Sequence, residues 1–353
     1  MKILVINNNE WFWWMWLHWR IFTEKLWKFF DDLFVYNEYV NWVANQEFIE
    51  SFDKIVRYSW YQWERLNFQN ADFLKNISKD KNKNILFIFA DATLFPKNKI
   101  DSINDNFYMV ACDSEFSEIQ ARKAWIKNIC WSFQFILNKD FKTTNNRVNS
   151  DETYNFLHIS SRSLQRVKWV DIILQAFFDW FTAENNVKLN ILTNKKEQNH
   201  DCLPMYLKKF IDCWRISQLN IIEKFMDHID VANVYSMCDC YINASRLETL
   251  WIPPIESVLF WLDLISVEEN WPSEYIHHIQ HLPIKWKFSC MQKNVRRNNE
   301  KSTWFEPDTS SLKIAMNLCY KKWKYYKREK KDVEFLLEKY NPNKIINKFI
   351  SIL

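Results

Sequence analysis

Two glutamates separated by seven residues form the strongest chemical pattern in the sequence. Glu248 and Glu256 lie within residues 245–256, Ser-Arg-Leu-Glu-Thr-Leu-Trp-Ile-Pro-Pro-Ile-Glu, which follow a predicted strand and open a predicted helix. Backbone N–H groups of the turn at Trp251 and Ile252, and of the helix start, can hold a phosphate. A carboxylate on the helix can accept hydrogen bonds from sugar or ribose hydroxyls. The combination suits a nucleotide sugar, although a solvated helix face also carries paired glutamates.

A basic pair lies upstream of the two glutamates. Arg162 and Lys168 are six residues apart, after a predicted strand at 156–160 and before a predicted helix at 170–180. Arginine offers a fork of donors and lysine a point charge, so the pair can clamp a pyrophosphate. The two cations would also neutralise a diphosphate that leaves during a reaction. The alternative interpretation is a solvated basic loop.

An aromatic segment, Trp-Phe-Trp-Trp-Met-Trp-Leu-His at residues 11–18, follows the first predicted strand. As written, it is typical of a segment that lies in a membrane interface. If glycines stand at the tryptophan positions, Trp13 and Trp14 belong to a glycine-rich turn between a strand and a helix. His18 is then either a helix-start residue or a catalytic group.

The composition has one abnormal feature, which is the absence of glycine. The chain has 353 residues, no glycine and 20 tryptophans, whereas average usage would give about 25 glycines. Turns and phosphate loops need glycine for positive φ and close backbone approach. Tryptophan occurs where such glycines are expected, at positions 13, 14 and 251 and before Pro272 at Trp271. We infer that tryptophan stands at glycine positions, through either a reassigned codon or deliberate substitution.

The bulk composition narrows the class of protein. The 47 basic and 43 acidic residues give a net charge of +4, which is too small to indicate nucleic-acid binding but would tolerate an anionic membrane surface. No segment approaches the ~20 apolar residues of a membrane span, and the first residues lack the features of a signal peptide. The eight cysteines lack metal-ligand spacing. We expect reduced thiols in a cytoplasmic protein, with a peripheral position at the inner membrane face as the alternative.

Two further clusters carry no predicted function. His277, His278 and His281 lie on a predicted surface helix without an acidic partner, so the sequence predicts no metal site there. The charged run at 321–331 is typical of a solvated helix face.

Strands and helices alternate in both halves of the chain, which predicts two doubly wound parallel α/β sheets. The polar stretch at 138–152 is the predicted linker, so we expect domains at 1–140 and 153–330, followed by a C-terminal helix at 331–353. Besides those named above, the predicted elements are strands at 2–7, 85–89, 107–111, 187–192, 240–244 and 264–267 and a helix at 254–261.

These features together resemble glycosyltransferase family 4 of the GT-B superfamily. That family's order of Ser, Glu, aromatic-Gly, a short apolar run, Glu-Ala and a later Gly-Pro is met through residues 245–274, with Leu250 in place of Phe and Ser257 in place of Ala. Lys168 and Trp169 match the family's Lys-Gly if position 169 is glycine.

The resemblance implies a GT-B fold with two Rossmann-like domains that face each other across a cleft. It implies a retaining, metal-independent hexosyl-type transferase that moves a sugar from a nucleotide-diphosphate sugar, its co-substrate, to a glycan, lipid or other hydroxyl acceptor. Glu248 would face the donor sugar, Glu256 would bind the ribose, and the loop at Trp13 and Trp14 would close over the diphosphate. The acceptor would bind the N-terminal domain, onto which the C-terminal helix would pack, and no cofactor is expected.

Two other functions stay open. One is a nucleotide-sugar epimerase with the same fold. The other is a sugar-binding protein without catalysis, which gains support if the tryptophans are literal, because indoles at positions 13, 14, 169 and 251 would fill the phosphate site.

Overall fold

The computed structural model divides the chain into two compact units. It describes residues 1–7, 21–37, 45–61, 76–90, 97–132, 153–160, 170–193, 203–224, 226, 228–246, 252–290, 303–322 and 328–353. The first unit comprises Met1–Asn138, Cys290–Thr303 and Leu337–Leu353, and the second comprises Lys139–Ser289 and Trp304–Leu336.

The first unit is built on a six-stranded parallel sheet with the strand order β2-β1-β3-β4-β5-β6. Apolar residues run without interruption through β4, as is typical of a parallel strand covered on both faces. The strands are β1 (Ile3–Asn7), β2 (Leu33–Asn37), β3 (Lys54–Tyr61), β4 (Asn84–Ala90), β5 (Met109–Cys112) and β6 (Ile129–Ser132). The described helices between them are α1 (residues 21–26), α2 (Gln46–Glu50), α3 (Lys97–Asn106) and α4 (Glu115–Lys123).

The second unit has a six-stranded parallel sheet of order β12-β11-β10-β7-β8-β9 and a separate two-stranded sheet, β13-β14. The strands are β7 (Tyr154–Ser160), β8 (Val187–Thr193), β9 (Leu219–Glu223), β10 (Cys240–Asn243), β11 (Asp263–Ser266), β12 (Leu282–Pro283), β13 (Trp286–Cys290) and β14 (Thr303–Pro307). The helices are α5 (Val170–Trp180), α6 (Leu203–Asp212), α7 (His228–Ser236), α8 (Pro253–Leu259), α9 (Thr309–Lys322) and α10 (Lys330–Lys339).

Helix α5 shows how the sequence pattern determines packing in the second unit. Its buried residues recur at the helical spacing of three to four positions, Val170, Ile173, Leu174 and Phe177, and this stripe packs into the core with β7, β8 and β10. The helix begins and ends at the residues that the sequence predicted. Two doubly wound parallel α/β sheets are thereby confirmed as the fold class.

The last helix, α11 (Pro342–Ile350), packs within the first unit. The buried ring of Phe349 lies 5.2 Å from that of Phe22 and 5.6 Å from that of Phe87. The hydroxyl of Tyr108 donates a hydrogen bond to the carbonyl of Ile352 at 2.9 Å. The C-terminal residues are therefore part of the core that supports the first sheet.

The charged run at 321–331 departs from the expected solvated helix face at Arg328, whose side chain is fully buried. Arg328 forms an ion pair with Asp332 at 3.1 Å and donates to the carbonyls of Leu262 and Gln280. The expectation was wrong at this residue because an aspartate four positions along the chain and two backbone carbonyls satisfy the guanidinium away from water.

Three helices end in the same way, with a tryptophan in the left-handed backbone conformation. Trp125 after α4, Trp214 after α6 and Trp261 after α8 have φ of 68°, 57° and 65°. In each case the tryptophan and the next residue donate backbone hydrogen bonds to the last helical turn, which is the Schellman geometry that glycine usually completes. The bonds run from Trp125 to Arg122 (3.0 Å), Ile126 to Ala121 (3.2 Å), Trp214 to Ile211 (2.9 Å), Arg215 to Phe210 (2.7 Å), Trp261 to Val258 (3.0 Å) and Leu262 to Ser257 (2.9 Å).

Two of these tryptophans gain little from packing. Trp125 is 77% exposed and Trp214 is 91% exposed, so burial of the indole does not offset the strain of a bulky residue at positive φ. Such strain costs about 1–2 kcal/mol, because Cβ approaches the carbonyl oxygen. The backbone at these helix ends is therefore the conformation that favours glycine.

We expect Trp125→Gly and Trp214→Gly each to raise the free energy of unfolding by about 1 kcal/mol, because glycine has no Cβ to strain. Urea unfolding monitored by circular dichroism measures the change. Trp125→Ala is the control, since it removes the indole and keeps Cβ. An alanine variant as stable as the glycine variant would show that backbone strain is not the cause.

Candidate functional site

The strand order of the second sheet locates a crevice at its carboxyl edge. From β7 the chain continues to β8 and β9 on one side and then crosses to β10, β11 and β12 on the other side. The order therefore reverses between β7 and β10. In open α/β sheets, ligands bind outside the carboxyl ends of the strands at such a switch. The segments that leave these two strands, after Ser160 and after Asn243, are those that carry the predicted site residues.

The segment that leaves β10 is anchored at Arg246, whose side chain is only 4% exposed. Its guanidinium contacts both carboxylate oxygens of Glu306 on β14, with Nε–Oε2 at 3.1 Å and Nη2–Oε1 at 2.8 Å. Its carbonyl accepts hydrogen bonds from the N–H of Phe305 at 3.2 Å and from Nδ2 of Asn270 at 3.4 Å. Because the bidentate pair uses the guanidinium fork, Arg246 serves to join the end of β10 to β14 and to the turn after β11.

Asn270 has an uncommon backbone conformation. Its φ of 64° and ψ of −144° lie close to a region that is essentially restricted to glycine. The residue is buried, and its carbonyl accepts from Oγ of Ser273 at 2.7 Å. The sequence placed the glycine-type position of this turn at Trp271, but the left-handed backbone falls one residue earlier.

Glu256 on α8 is the predicted ribose ligand, and the structure gives its carboxyl group one clear partner. The hydroxyl of Tyr235, at the end of α7, donates to Oε2 of Glu256 at 2.9 Å and lies 3.3 Å from the carbonyl of Pro253. Burial raises the pKa of Glu256 from 4.5 to about 7, and the hydrogen bond from Tyr235 opposes the rise. A carboxyl group that changes charge near neutral pH at a ligand-binding edge is a candidate functional group.

Ile252 is the residue from which α8 begins. Its side chain is buried, and its carbonyl accepts from the N–H of Ile255 at 2.9 Å and of Glu256 at 3.1 Å. The next two residues, Pro253 and Pro254, have no N–H. The start of the helix therefore has no spare donor for a phosphate, contrary to the sequence interpretation.

The other seven predicted site residues all lie outside the described residues. These are His18, Trp13, Trp14, Arg162, Lys168, Glu248 and Trp251. Sequence reasoning missed Tyr235 and the partner of Arg246, since Glu306 is 60 residues away in the chain and no local pattern connects them.

The histidines do have an acidic partner, which the sequence analysis did not expect. Nε2 of His281 lies 3.0 Å from Oε1 of Glu268, and Nδ1 of His277 lies 3.9 Å from the same oxygen. His277 belongs to a single 3₁₀ turn, Ile276–His278. Within the described ranges, no group of three histidine, cysteine or acidic side chains is arranged to hold a metal ion.

Solved structures with the same architecture cover the whole chain. HepE from Anabaena, solved in complex with UDP, superposes with a TM-score of 0.69 at 12% identity and covers 100% of this chain and 99% of that one. A glycosyltransferase from Rickettsia africae gives 0.69 at 11%, covering 99% and 97%. Sucrose-phosphate synthase from Thermosynechococcus elongatus gives 0.68 at 10%, covering 100% and 98%. The chain has the GT-B fold.

At identities of 10–12%, these GT-B structures establish the fold and leave the activity to be argued from the site. No protein-family model and no curated protein matches the sequence. Of the helices in the described part of the chain, none combines the length and apolar character that crossing a bilayer requires.

The raised pKa of Glu256 predicts a pH-dependent stability. Between pH 4.5 and about 7 the folded chain keeps a proton that the unfolded chain releases. The contribution of this carboxyl to stability is therefore complete below pH 4.5 and is lost as the pH rises through about 7. Glu256→Gln removes the titration. We expect it to raise the free energy of unfolding by about 2 kcal/mol at about pH 8, since one pKa unit corresponds to about 1.4 kcal/mol and the carboxyl is partly accessible.

Urea unfolding of both chains from about pH 3.5, one unit below the ordinary pKa of 4.5, to about pH 8 tests this expectation. The two chains should converge at the acidic end, where Glu256 is protonated in the folded and unfolded states alike. A difference in stability that stays constant across the range would contradict the raised pKa.

Proposed function

We propose that this protein is a retaining glycosyltransferase of the family 4 type, which transfers a hexosyl group from a nucleotide-diphosphate sugar to a glycan, lipid or other hydroxyl acceptor. The observation that carries the proposal is the position of Glu256. Its carboxyl group lies on the helix that follows β10, at the strand-order switch of the second sheet, and titrates near neutral pH. Solved structures of the same fold are described as complexes with UDP and with UDP-glucose, which supports a nucleotide sugar as the ligand.

The proposed roles follow from which strand each segment leaves. Arg162 and Lys168 follow β7 in the chain and Glu256 follows β10. Ligands of open α/β sheets bind where such strands diverge, which supports assigning both segments to one donor site. The two cations would hold the diphosphate and stabilise the charge that develops on it as it leaves. The carboxylate of Glu256 would accept hydrogen bonds from the ribose hydroxyls, which would offset part of the cost of its burial.

The transfer step needs two further groups. Glu248 would contact the donor sugar, and His18 would act from the first domain, where the loop at Trp13 and Trp14 would lie against the diphosphate. With retention of configuration, the departing diphosphate would itself take the acceptor proton, and neither a metal ion nor another cofactor would be required. The acceptor would bind the first domain, and peripheral membrane contact would suit a lipid-linked acceptor.

We further propose that the natural chain carries glycine at its tryptophan positions. The left-handed backbone at Trp125, Trp214 and Trp261 supports this proposal, because glycine adopts it without strain. At Trp251 an indole would block the approach of a phosphate to the turn before α8. A reassigned codon and a deliberate substitution remain the two routes. The intact mass of the protein from its native host tests the proposal, because a native chain that carries all 20 tryptophans would contradict it.

Substitution of the basic pair tests the proposed donor site. Protein made with glycine at the 20 tryptophan positions is first screened against nucleotide sugars by thermal shift. We expect Arg162→Ala and Lys168→Ala each to weaken nucleoside-diphosphate binding by roughly 1.5–3 kcal/mol in calorimetry, the scale of a charged hydrogen bond. Lys224→Ala is the control, because Lys224 is exposed and pairs with Asp230.

If both Arg162→Ala and Lys168→Ala bind the nucleoside diphosphate with unchanged affinity, these residues do not hold the diphosphate. Product analysis without an acceptor separates transfer from epimerisation, because only an epimerase yields the epimeric sugar from the donor alone. Binding without any product would favour the non-catalytic sugar-binding protein.

The pKa of Glu256 also predicts how donor binding depends on pH. We expect the affinity for UDP-glucose to rise as the pH increases through about 7 and then to level off, because the charged carboxylate is the better acceptor for ribose hydroxyls. Glu256→Gln should abolish this dependence. A nucleotide sugar is the suitable probe, since its diphosphate is esterified at both ends and does not titrate in this range. An equal pH profile in the two chains would contradict the role of Glu256.

A further inference from the structure

The carboxyl group of Glu256 uses its two oxygens differently. Oε2 accepts from the hydroxyl of Tyr235 at 2.9 Å, whereas Oε1 has no hydrogen-bond partner among the residues that the structure describes. This division suits a ribose ligand, because fixing one oxygen directs the other toward a hydroxyl. Tyr235 is therefore placed to orient the carboxylate without contacting the ligand.

The ring of Tyr235 is held firmly enough for this task. It is fully buried, and it stacks on Phe260 with the ring centroids 5.2 Å apart and the planes at 15°. Tyr241 on β10 lies against it at 6.4 Å. Burial, together with the charge of Glu256, raises the pKa of Tyr235 well above its usual value. The hydroxyl therefore keeps its proton and remains a donor.

The hydroxyl also lies near the start of α8. It is 3.3 Å from the carbonyl of Pro253 and 2.9 Å from the carboxylate of Glu256, so it spans the first turn of the helix. Besides Glu256, the groups that act on Tyr235 are the phenol of Tyr241 and the thiol of Cys238. Burial raises the pKa of Cys238, so its thiol is neutral at ordinary pH. Among the described residues, only burial and the Tyr235 hydroxyl shift the pKa of Glu256.

We propose that Tyr235 is the positioning residue for Glu256, in that its hydroxyl orients the carboxylate so that Oε1 receives the ribose of a nucleotide sugar. The identity of this ligand rests on the proposed function. The orienting contact itself rests only on the geometry of α7 and α8. A positioning role differs from simple packing, because the hydrogen bond from Tyr235 depends on the charge of the Glu256 carboxylate, whereas the packing of the Tyr235 ring does not.

Calorimetry with UDP-glucose between about pH 5.5 and about pH 9, on protein made with glycine at the tryptophan positions, tests the role of Tyr235 in binding. Tyr235→Phe removes the hydroxyl and keeps the ring. We expect roughly five- to tenfold weaker binding at pH 7, the fold-change that the loss of one hydrogen bond produces. We also expect the midpoint of the pH profile to move up by about one unit, because the lost bond no longer favours the charged carboxylate.

Tyr154→Phe is the matched control in the same domain. Tyr154 is also fully buried, and its hydroxyl also donates to a carboxylate, that of Asp263, at 3.1 Å. Both residues begin strands, β7 and β11, so this pair lies at the amino edge of the sheet, away from the switch point. The substitution should leave the affinity and the pH midpoint unchanged. An equal effect of the two substitutions would overturn the proposal.

A second measurement needs no ligand. Tyr235→Phe is made in the wild-type chain and in the Glu256→Gln chain, and the coupling between the two positions is obtained from urea unfolding at about pH 5.5 and about pH 8.5. We expect the coupling to be larger at the higher pH, where the carboxylate is charged. A coupling that does not change with pH would overturn the positioning role. A pH-dependent coupling without UDP-glucose binding would support the positioning role and count against the proposed ligand.

Discussion

A doubly wound sheet returns the chain from each helix to the next strand within a few residues, and this return depends on left-handed backbone at the helix end. Glycine normally supplies that conformation. Here the hydrogen bonds of the return are formed at Trp125, Trp214 and Trp261, although the side chain at each position opposes the backbone conformation. At these three helix ends the fold therefore imposes a left-handed backbone that tryptophan disfavours. A chain without glycine therefore carries backbone strain at these helix ends.

The sequence predicted the parts of the fold that local patterns determine. Continuous apolar runs located the central parallel strands, and the apolar stripe of α5 located that helix to the residue. Short strands of mixed polarity were missed, β9 and the β13-β14 pair among them, because an edge position leaves no periodic signal. Arg328 was misjudged for a different reason. Its burial depends on Asp332 and on two backbone carbonyls, contacts that exist only once the chain has folded.

For the candidate site, the sequence predicted which segments carry functional residues, but it did not predict which side chains those residues contact. The sequence predicted a site at residues 245–256 from a strand, a turn and two glutamates, and β10, the strand that precedes them, borders the strand-order switch. The partners of Arg246 and Glu256 come from β14 and α7, at separations of 60 and 21 residues. Pro253 and Pro254 remove two backbone donors from the start of α8, which the prediction of a phosphate at that helix start did not take into account.

Two largely buried ion pairs of the second domain contrast with Glu256. Arg328 and Asp332 neutralise each other, and the guanidinium of Arg246 is matched by both oxygens of Glu306. Such pairs fix the framework and gain nothing from a ligand. Glu256 differs, because its single described partner is a neutral hydroxyl and burial raises its pKa to about 7. The folded chain therefore bears a cost at this carboxylate that a framework pair avoids. A ligand that donates hydrogen bonds to the carboxylate would recover part of that cost on binding. The position of Glu256 after β10, at the strand-order switch, separates it from the buried Tyr154–Asp263 pair at the amino edge of the sheet.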